Sequence, residues 1–305
     1  MLSHRLRGFA GAESSLSGLR AALESNFPFL EVDTRHTADG EILVYHDALL
    51  ETQTQAIGLV ADYLLAAQGA IHFKATPNET VSTLEAFLGV FSRSRTTQTL
   101  VLDLKDFGLV ERYVEMIDRF GIGDRVIVIS WTPEVLKRVH ELSPRLCLGF
   151  SYVSLVGKPV MRAAARLAAP LLSSSLPWRA ISTVGAIAGK PSLRQVDRVR
   201  CFVNDYDRPW TALAQRPDAL GCFHIHVVDH LPVGELGEIL RATRGYLGSH
   251  AMTTTRAMTN EAHRAGLRVF VFSVDSRAEL VRFDERVAPD VVFTNRCELA
   301  QSASR

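Results

Sequence analysis

No stretch of this chain approaches the roughly 18 consecutive apolar residues that a membrane-spanning helix needs. No basic-then-apolar leader is recognisable either, so a cytoplasmic protein is the expectation. Charge of one sign is also missing. Thirty-four Lys and Arg against 33 Asp and Glu leave a net charge of +1, which provides no basic face for a nucleic-acid backbone. Cysteine is scarce: Cys147, Cys201, Cys222 and Cys297 lie far apart and form no C-x-x-C pair. That spacing argues against a zinc site or a disulfide framework and for reduced thiols. No G-x-G-x-x-G follows the first apolar run, which speaks against a dinucleotide fold. Internal repeats and low-complexity tracts are absent as well.

What is present is an ordinary globular composition, with 47% hydrophobic residues in 305. A chain of that size buries a large core without covalent staples. Short β-rich runs alternate with helical stretches. Strands are predicted at Phe29–Thr34, Glu41–Tyr45, Thr99–Leu104, Arg125–Ser130, Arg145–Phe150, Cys222–Val228, Leu267–Val274 and Asp290–Thr294. Helices are predicted at Glu13–Glu24, Leu84–Phe91, Val110–Phe120, Pro133–Leu142 and Arg256–Ala265. Alternation over this length predicts an α/β protein with a parallel sheet. Polar residues gather at or just past the strand ends: Glu31, Asp33, Asp103, Lys105, Ser130, Ser151, Asp229, Asp275 and Asn295. That distribution selects a (β/α)₈ TIM barrel with its site on the carboxyl rim.

Residues 1–305 are read as one barrel domain. The stretch 153–221 is too long for one crossover and carries loop signals at Ser173-Ser174-Ser175 and Pro177. It reads as an insertion between the fifth and sixth strands, lying over the rim as a lid.

Residues two apart on a strand face the same way. Glu31 and Asp33 therefore project together, and so do Asp103 and Lys105. Adjacent carboxylates repel unless a cation neutralises them, and a hard divalent ion takes several oxygen ligands. His4 and His46 offer a general acid and base near neutral pH. Arg5 supplies a planar fork for phosphate oxygens. Trp131, just past a strand end, is placed to stack on a substrate group. Asp106-Phe107-Gly108 looks like a kinase fragment, but no accompanying glycine-rich loop supports that. His224-x-His226 and Asp229-His230 read as polar alternation at the rim rather than as a metal site.

The set His4-Arg5, Glu13, Glu31-x-Asp33, Thr37-x-Asp39-Gly40, Val44-x-His46-Asp47 and Asp103-x-Lys105 resembles, in order and spacing, the glycerophosphodiester phosphodiesterase family. The stretches Gly266–Asp275 and Pro289–Asn295 resemble that family's last two barrel strands. The resemblance implies metal-dependent hydrolysis of a glycerophosphodiester to glycerol phosphate and an alcohol. It implies His4 and His46 as acid and base, and Glu31, Asp33 and Asp103 as ligands of Mg²⁺ or Ca²⁺. It further implies Arg5 and Lys105 as phosphate-binding residues. Asp103 stands where glutamate is usual. An aspartate there is similar to the related sphingomyelinase D-like enzymes, whose products are cyclic phosphates, so a lysophospholipase D-like cleavage is the alternative. A barrel that binds phosphate with little turnover is the non-enzymatic alternative. The expected partner is a small phosphodiester, with membrane contact through the apolar, arginine-bearing Val160–Leu172 segment as a further option.

Overall fold

The computed structural model describes residues 1–156, 176–188, 201–204, 223–228 and 230–301, with a few isolated positions between 158 and 167. In chain order its strands are β1 (Leu2–Ser3), β2 (Phe29–His36), β3 (Ile42–Val44), β4 (Thr99–Leu104), β5 (Val126–Ser130) and β6 (Cys147–Ser151). They continue with β7 (Val153–Ser154), β8 (Cys201–Asn204), β9 (Phe223–Val228), β10 (Tyr246–His250), β11 (Arg268–Phe272) and β12 (Val291–Thr294). The longer helices are α1 (Leu16–Leu23), α2 (Leu84–Arg93), α3 (Val110–Arg119), α4 (Pro133–Leu142), α5 (Leu176–Ile187), α6 (Gly234–Ala242), α7 (Arg256–Arg264) and α8 (Arg277–Val287).

Eight strands pair side by side in the order β1, β12, β11, β10, β6, β5, β4, β2, and β2 returns to β1. Every one of those pairings is parallel. The sheet thus closes into the expected (β/α)₈ barrel. Closure needs β1, only two residues long, to bridge Phe29 and Leu30 on one side and Phe293 and Thr294 on the other. β3 adds antiparallel to the far end of β2.

The apolar strands read as they do because both faces are covered. On β4, Leu100, Leu102 and Leu104 pack outward with Leu30 and Val32 of β2 and the helices, while Val101 joins the interior. That interior layer also holds Leu2, Ile127, Tyr246, Phe270, Val291 and Phe293. Tyr246 and Phe270 stack with centroids 4.1 Å apart. The same period of two that sends Val101 inward sends Asp103 inward one step nearer the rim. A polar layer therefore sits on an apolar plug.

Two predicted elements need correction. Residues 223–228 do form a strand, but in a separate three-stranded parallel sheet of β7, β9 and β8. The sixth barrel strand is β10, whose Tyr-Leu-Gly-Ser-His has too little β-branched character to be read as a strand. Gly248 is useful there: a Cβ at that position would lie 3.0 Å from Ser151 Oγ on β6. The excursion between the fifth and sixth barrel strands is accordingly longer than 153–221. Most of that stretch, including most of Val160–Leu172, lies outside the described residues, as do Cys222 and Asp229. Among the described residues no helix is long and apolar enough to cross a membrane.

Candidate active site

The barrel's carboxyl rim opens on a cavity of about 340 Å³ lined by His4, Arg5, Glu31, His46, Asp103 and Lys105 on one side. Ile129, Trp131, Phe272 and Phe293 form a largely apolar wall, with Ser151 and His250 between. Every residue singled out in the sequence for this site lines the cavity except Asp33. That carboxylate is 1% exposed and lies beneath Lys105 and Arg5.

Glu31, Asp33 and Asp103 each offer an oxygen, and these oxygens lie within 4.8 Å of one another. β2 and β4 pair in a register that sets Asp33 beside Asp103. Lys105 Nζ bridges the two, 2.8 Å from Asp33 Oδ1 and 2.5 Å from Asp103 Oδ2. Arg5 Nε lies 3.2 Å from Asp33 Oδ2, and the Arg5 amide donates to Glu31 Oε2 at 2.9 Å. That amide is aimed by left-handed backbone at Arg5, φ 55° and ψ 25°.

Asp103 Oδ1 is buried without a hydrogen-bond partner. A buried, orphaned carboxylate oxygen is costly. Beside two more carboxylates it fits the all-oxygen shell a hard divalent cation takes. The electrostatics agree. Burial, then the Asp33 and Asp103 charges, push Glu31 well above the usual carboxylate range. Burial likewise raises Asp103. Burial opposes the charge on Asp33 too, but Lys105, His46 and Arg5 outweigh it and hold that carboxyl far down. With all three ionised, the acids would exceed Lys105 and Arg5 in charge, which is why burial and mutual repulsion raise Glu31 and Asp103.

His4 follows β1 directly. Its Nδ1 meets Asn295 Oδ1 at 2.9 Å, and its Nε2 lies 3.9 Å from Glu31 Oε2. Burial, and next the Arg5 charge, lower its pKa to about 3. His46 follows β3, and its Nδ1 meets Asp47 Oδ1 at 2.9 Å. Arg35 anchors this arm. Its guanidinium, 1% exposed, donates from Nε to the His46 carbonyl at 2.7 Å and from Nη1 to Asp106 Oδ1 at 2.7 Å. Asp106, from the triplet that looks kinase-like, is thus a buried structural partner. Trp131 sits half-buried with its ring 5.7 Å from Phe272.

Sequence reasoning missed Arg7, Gln53 and His250, none of which lies in a chemical pattern of its own. Arg7 and Gln53 hold Glu13, at 2.6 and 3.1 Å. His250 ends the overlooked strand β10.

Two cations, an acid cluster and two imidazoles at one rim suit the hydrolysis of phosphate esters. Residues 3–181 match the Glycerophosphoryl diester phosphodiesterase family, and the chain belongs to that family of phosphoric diester hydrolases. A glycerophosphodiester phosphodiesterase of Bacillus altitudinis is 31% identical over 167 residues, which cover 51% of this chain and 68% of the relative. One from Caldanaerobacter subterraneus subsp. tengcongensis is 25% identical over 163 residues, 50% of this chain and 66% of the relative. The match thus spans about two thirds of those relatives. An Oleispira antarctica phosphodiesterase, solved with the product sn-glycerol-3-phosphate, shares the fold. Its TM-score is 0.62 at 17% identity, over 99% of this chain and 95% of that one.

Proposed function

We propose that this protein hydrolyses a glycerophosphodiester to glycerol phosphate and an alcohol, using Mg²⁺ or Ca²⁺ held by Glu31, Asp33 and Asp103. The observation that carries the reading is the convergence of those three carboxylates within 4.8 Å in the cavity that His4 and His46 also line. The names of the relatives support the substrate class. A bound cation would draw charge from a non-bridging phosphate oxygen. Arg5 and Lys105 offset the charge that grows on the phosphoryl oxygens in the transition state.

The partners of the two histidines divide the proton work. Asn295 Oδ1 also accepts from Arg7 Nη1 at 3.0 Å, and Asn295 Nδ2 donates to Asp275 Oδ2 at 2.8 Å. Its amide orientation is therefore set, and His4 Nδ1 must be the donor to Oδ1. Neutral His4 keeps a lone pair on Nε2 and takes the proton from the nucleophilic hydroxyl. His46 has the Asp47 carboxylate on Nδ1, which turns Nε2 toward the substrate. It hands a proton to the alcohol oxygen as the P–O bond breaks. The new P–O bond forms to the oxygen that His4 deprotonated. Trp131 and the Phe272 wall receive the alcohol. The lid expected over the rim at 153–221 falls mostly outside the described residues, and residues 1–305 are proposed as one catalytic barrel.

Replacing His4 or His46 by Ala should each lower kcat on glycerophosphodiesters by about 10²–10⁴. Undiminished turnover in both variants would sink the assignment. Phosphorus NMR of the products should show glycerol phosphate; a cyclic phosphate would overturn direct hydrolysis by water.

A further inference from the structure

Six hydrogen bonds join the two cavity histidines through residues outside the acid cluster. His4 Nδ1 meets Asn295 Oδ1 at 2.9 Å, and Arg7 Nη1 donates to the same oxygen at 3.0 Å. Arg7 Nε donates to Glu13 Oε2 at 2.6 Å. Gln53 Nε2 donates to Glu13 Oε1 at 3.1 Å and to Asp47 Oδ2 at 3.0 Å. Asp47 Oδ1 meets His46 Nδ1 at 2.9 Å. The chain runs from one imidazole to the other and crosses between two arms of backbone at Gln53.

The chemistry of that crossing is directional. Glu13 and Asp47 each face it with a carboxyl oxygen, and the Gln53 amide nitrogen carries two hydrogens, one for each. A flipped amide would turn its carbonyl oxygen toward two carboxylates, so the orientation is fixed. The backbone of Gln53 is anchored separately: its N–H donates to Leu50 O at 3.3 Å and its carbonyl accepts from Lys74 N at 2.9 Å. With Oδ2 held by Gln53, Asp47 presents Oδ1 to His46 at a set angle. His46 then keeps its proton on Nδ1 and leaves Nε2 for the substrate.

We infer that Gln53 is a positioning residue of this site: by bridging Glu13 and Asp47 it ties the His46 arm to the His4–Arg5–Arg7 arm and holds both imidazoles with Nε2 turned to the substrate. The inference rests on the proposed function, since it gives those imidazoles their roles. Removing an outer hydrogen-bond partner of this kind typically costs about 10–100-fold in activity. Gln53 makes none of its described hydrogen bonds to Glu31, Asp33 or Asp103. The cation concentration giving half-maximal rate should therefore stay where it is.

The test uses the full chain with Gln53→Met, close in size and without donors, and with Gln53→Ala. Arg7→Met cuts the same chain one link further on. Steady-state kinetics at saturating Mg²⁺ should show kcat down about 10–100-fold, with KM and the Mg²⁺ midpoint held. Independently of turnover, imidazole ¹⁵N NMR at alkaline pH should show neutral His46, assigned by the signal lost in His46→Ala, as the Nδ1–H tautomer in the parent chain. In Gln53→Met it should become a tautomer mixture. A kcat within about twofold of the parent in both Gln53 variants would overturn the inference. So would a His46 tautomer unchanged by Gln53→Met, or a loss of kcat matched by a shifted Mg²⁺ midpoint. If the parent chain cleaves no glycerophosphodiester, the proposed function fails, and the tautomer measurement still decides the role of Gln53.

Discussion

Adding a divalent cation to metal-free protein should raise its melting temperature, and Asp103→Asn should abolish most of the rise. The magnitude follows from the cluster. Glu31, Asp33 and Asp103 are at most 4% exposed and have Lys105 and Arg5 as their permanent cations, so ionising all three leaves excess negative charge in a desolvated site. The unfolded chain gathers no such cluster, so the ion binds the folded state alone. At a hundredfold excess over Kd that adds about 2.7 kcal/mol. For a chain of this size, with each kcal/mol worth about 2 °C, the shift is roughly 5 °C. Asp103→Asn removes an anionic ligand and the excess charge together, so its shift should fall below about 1 °C at the same concentration. Thermal melts in EDTA, then in millimolar Mg²⁺ or Ca²⁺, read the effect directly. Equal shifts in parent and variant would show the ion binding elsewhere. No shift in the parent with either cation would refute the cluster as a cation site.

Asp106→Asn removes one half of a buried 2.7 Å ion pair with Arg35; the expected cost is about 3–5 kcal/mol, seen as a lower urea midpoint with unchanged slope. A loss under about 0.5 kcal/mol would contradict the anchoring role given to Arg35. Trp131→Ala takes an aromatic face from the cavity wall, worth about 0.5–1.5 kcal/mol, so KM should rise severalfold with kcat held; a fall in kcat alone would contradict the placement. Gly149→Ala puts a Cβ 2.7 Å from Ile129 Cγ2 inside the barrel, and calorimetry should show a loss of about 1–3 kcal/mol.

The parts of this protein that could be read in advance are those where local chemistry and fold agree. β5 is Val-Ile-Val-Ile-Ser, buried throughout, and such a run has few alternatives to a covered parallel strand. Glu31, Asp33, Asp103 and Lys105 were legible because spacing by two on a strand fixes a shared face before any tertiary structure is known. β10 was not, since Tyr246–His250 owes its strand to neighbours: Gly248 and Ser249 are tolerated there because β6 and β11 supply the pairing. Gln53 and Arg7 were invisible for a similar reason. Each has one partner six residues away, but its other partner lies 40 residues off for Gln53 and 288 for Arg7, and no periodicity links residues across such gaps. Asp106 shows the converse, a suggestive triplet whose carboxylate packs against Arg35.

The cavity wall has one more consequence. Ser151 and His250 end neighbouring barrel strands, both line the cavity, and the excursion outside the barrel leaves after the first and returns through the second. The carboxylates, imidazoles and cations proposed for the chemistry all lie between His4 and Lys105 in the sequence. The chain that leaves the barrel after Ser151 and returns at Tyr246 can therefore change in length without displacing those groups, provided that α6 is kept, whose Leu236 and Leu240 are buried in the core.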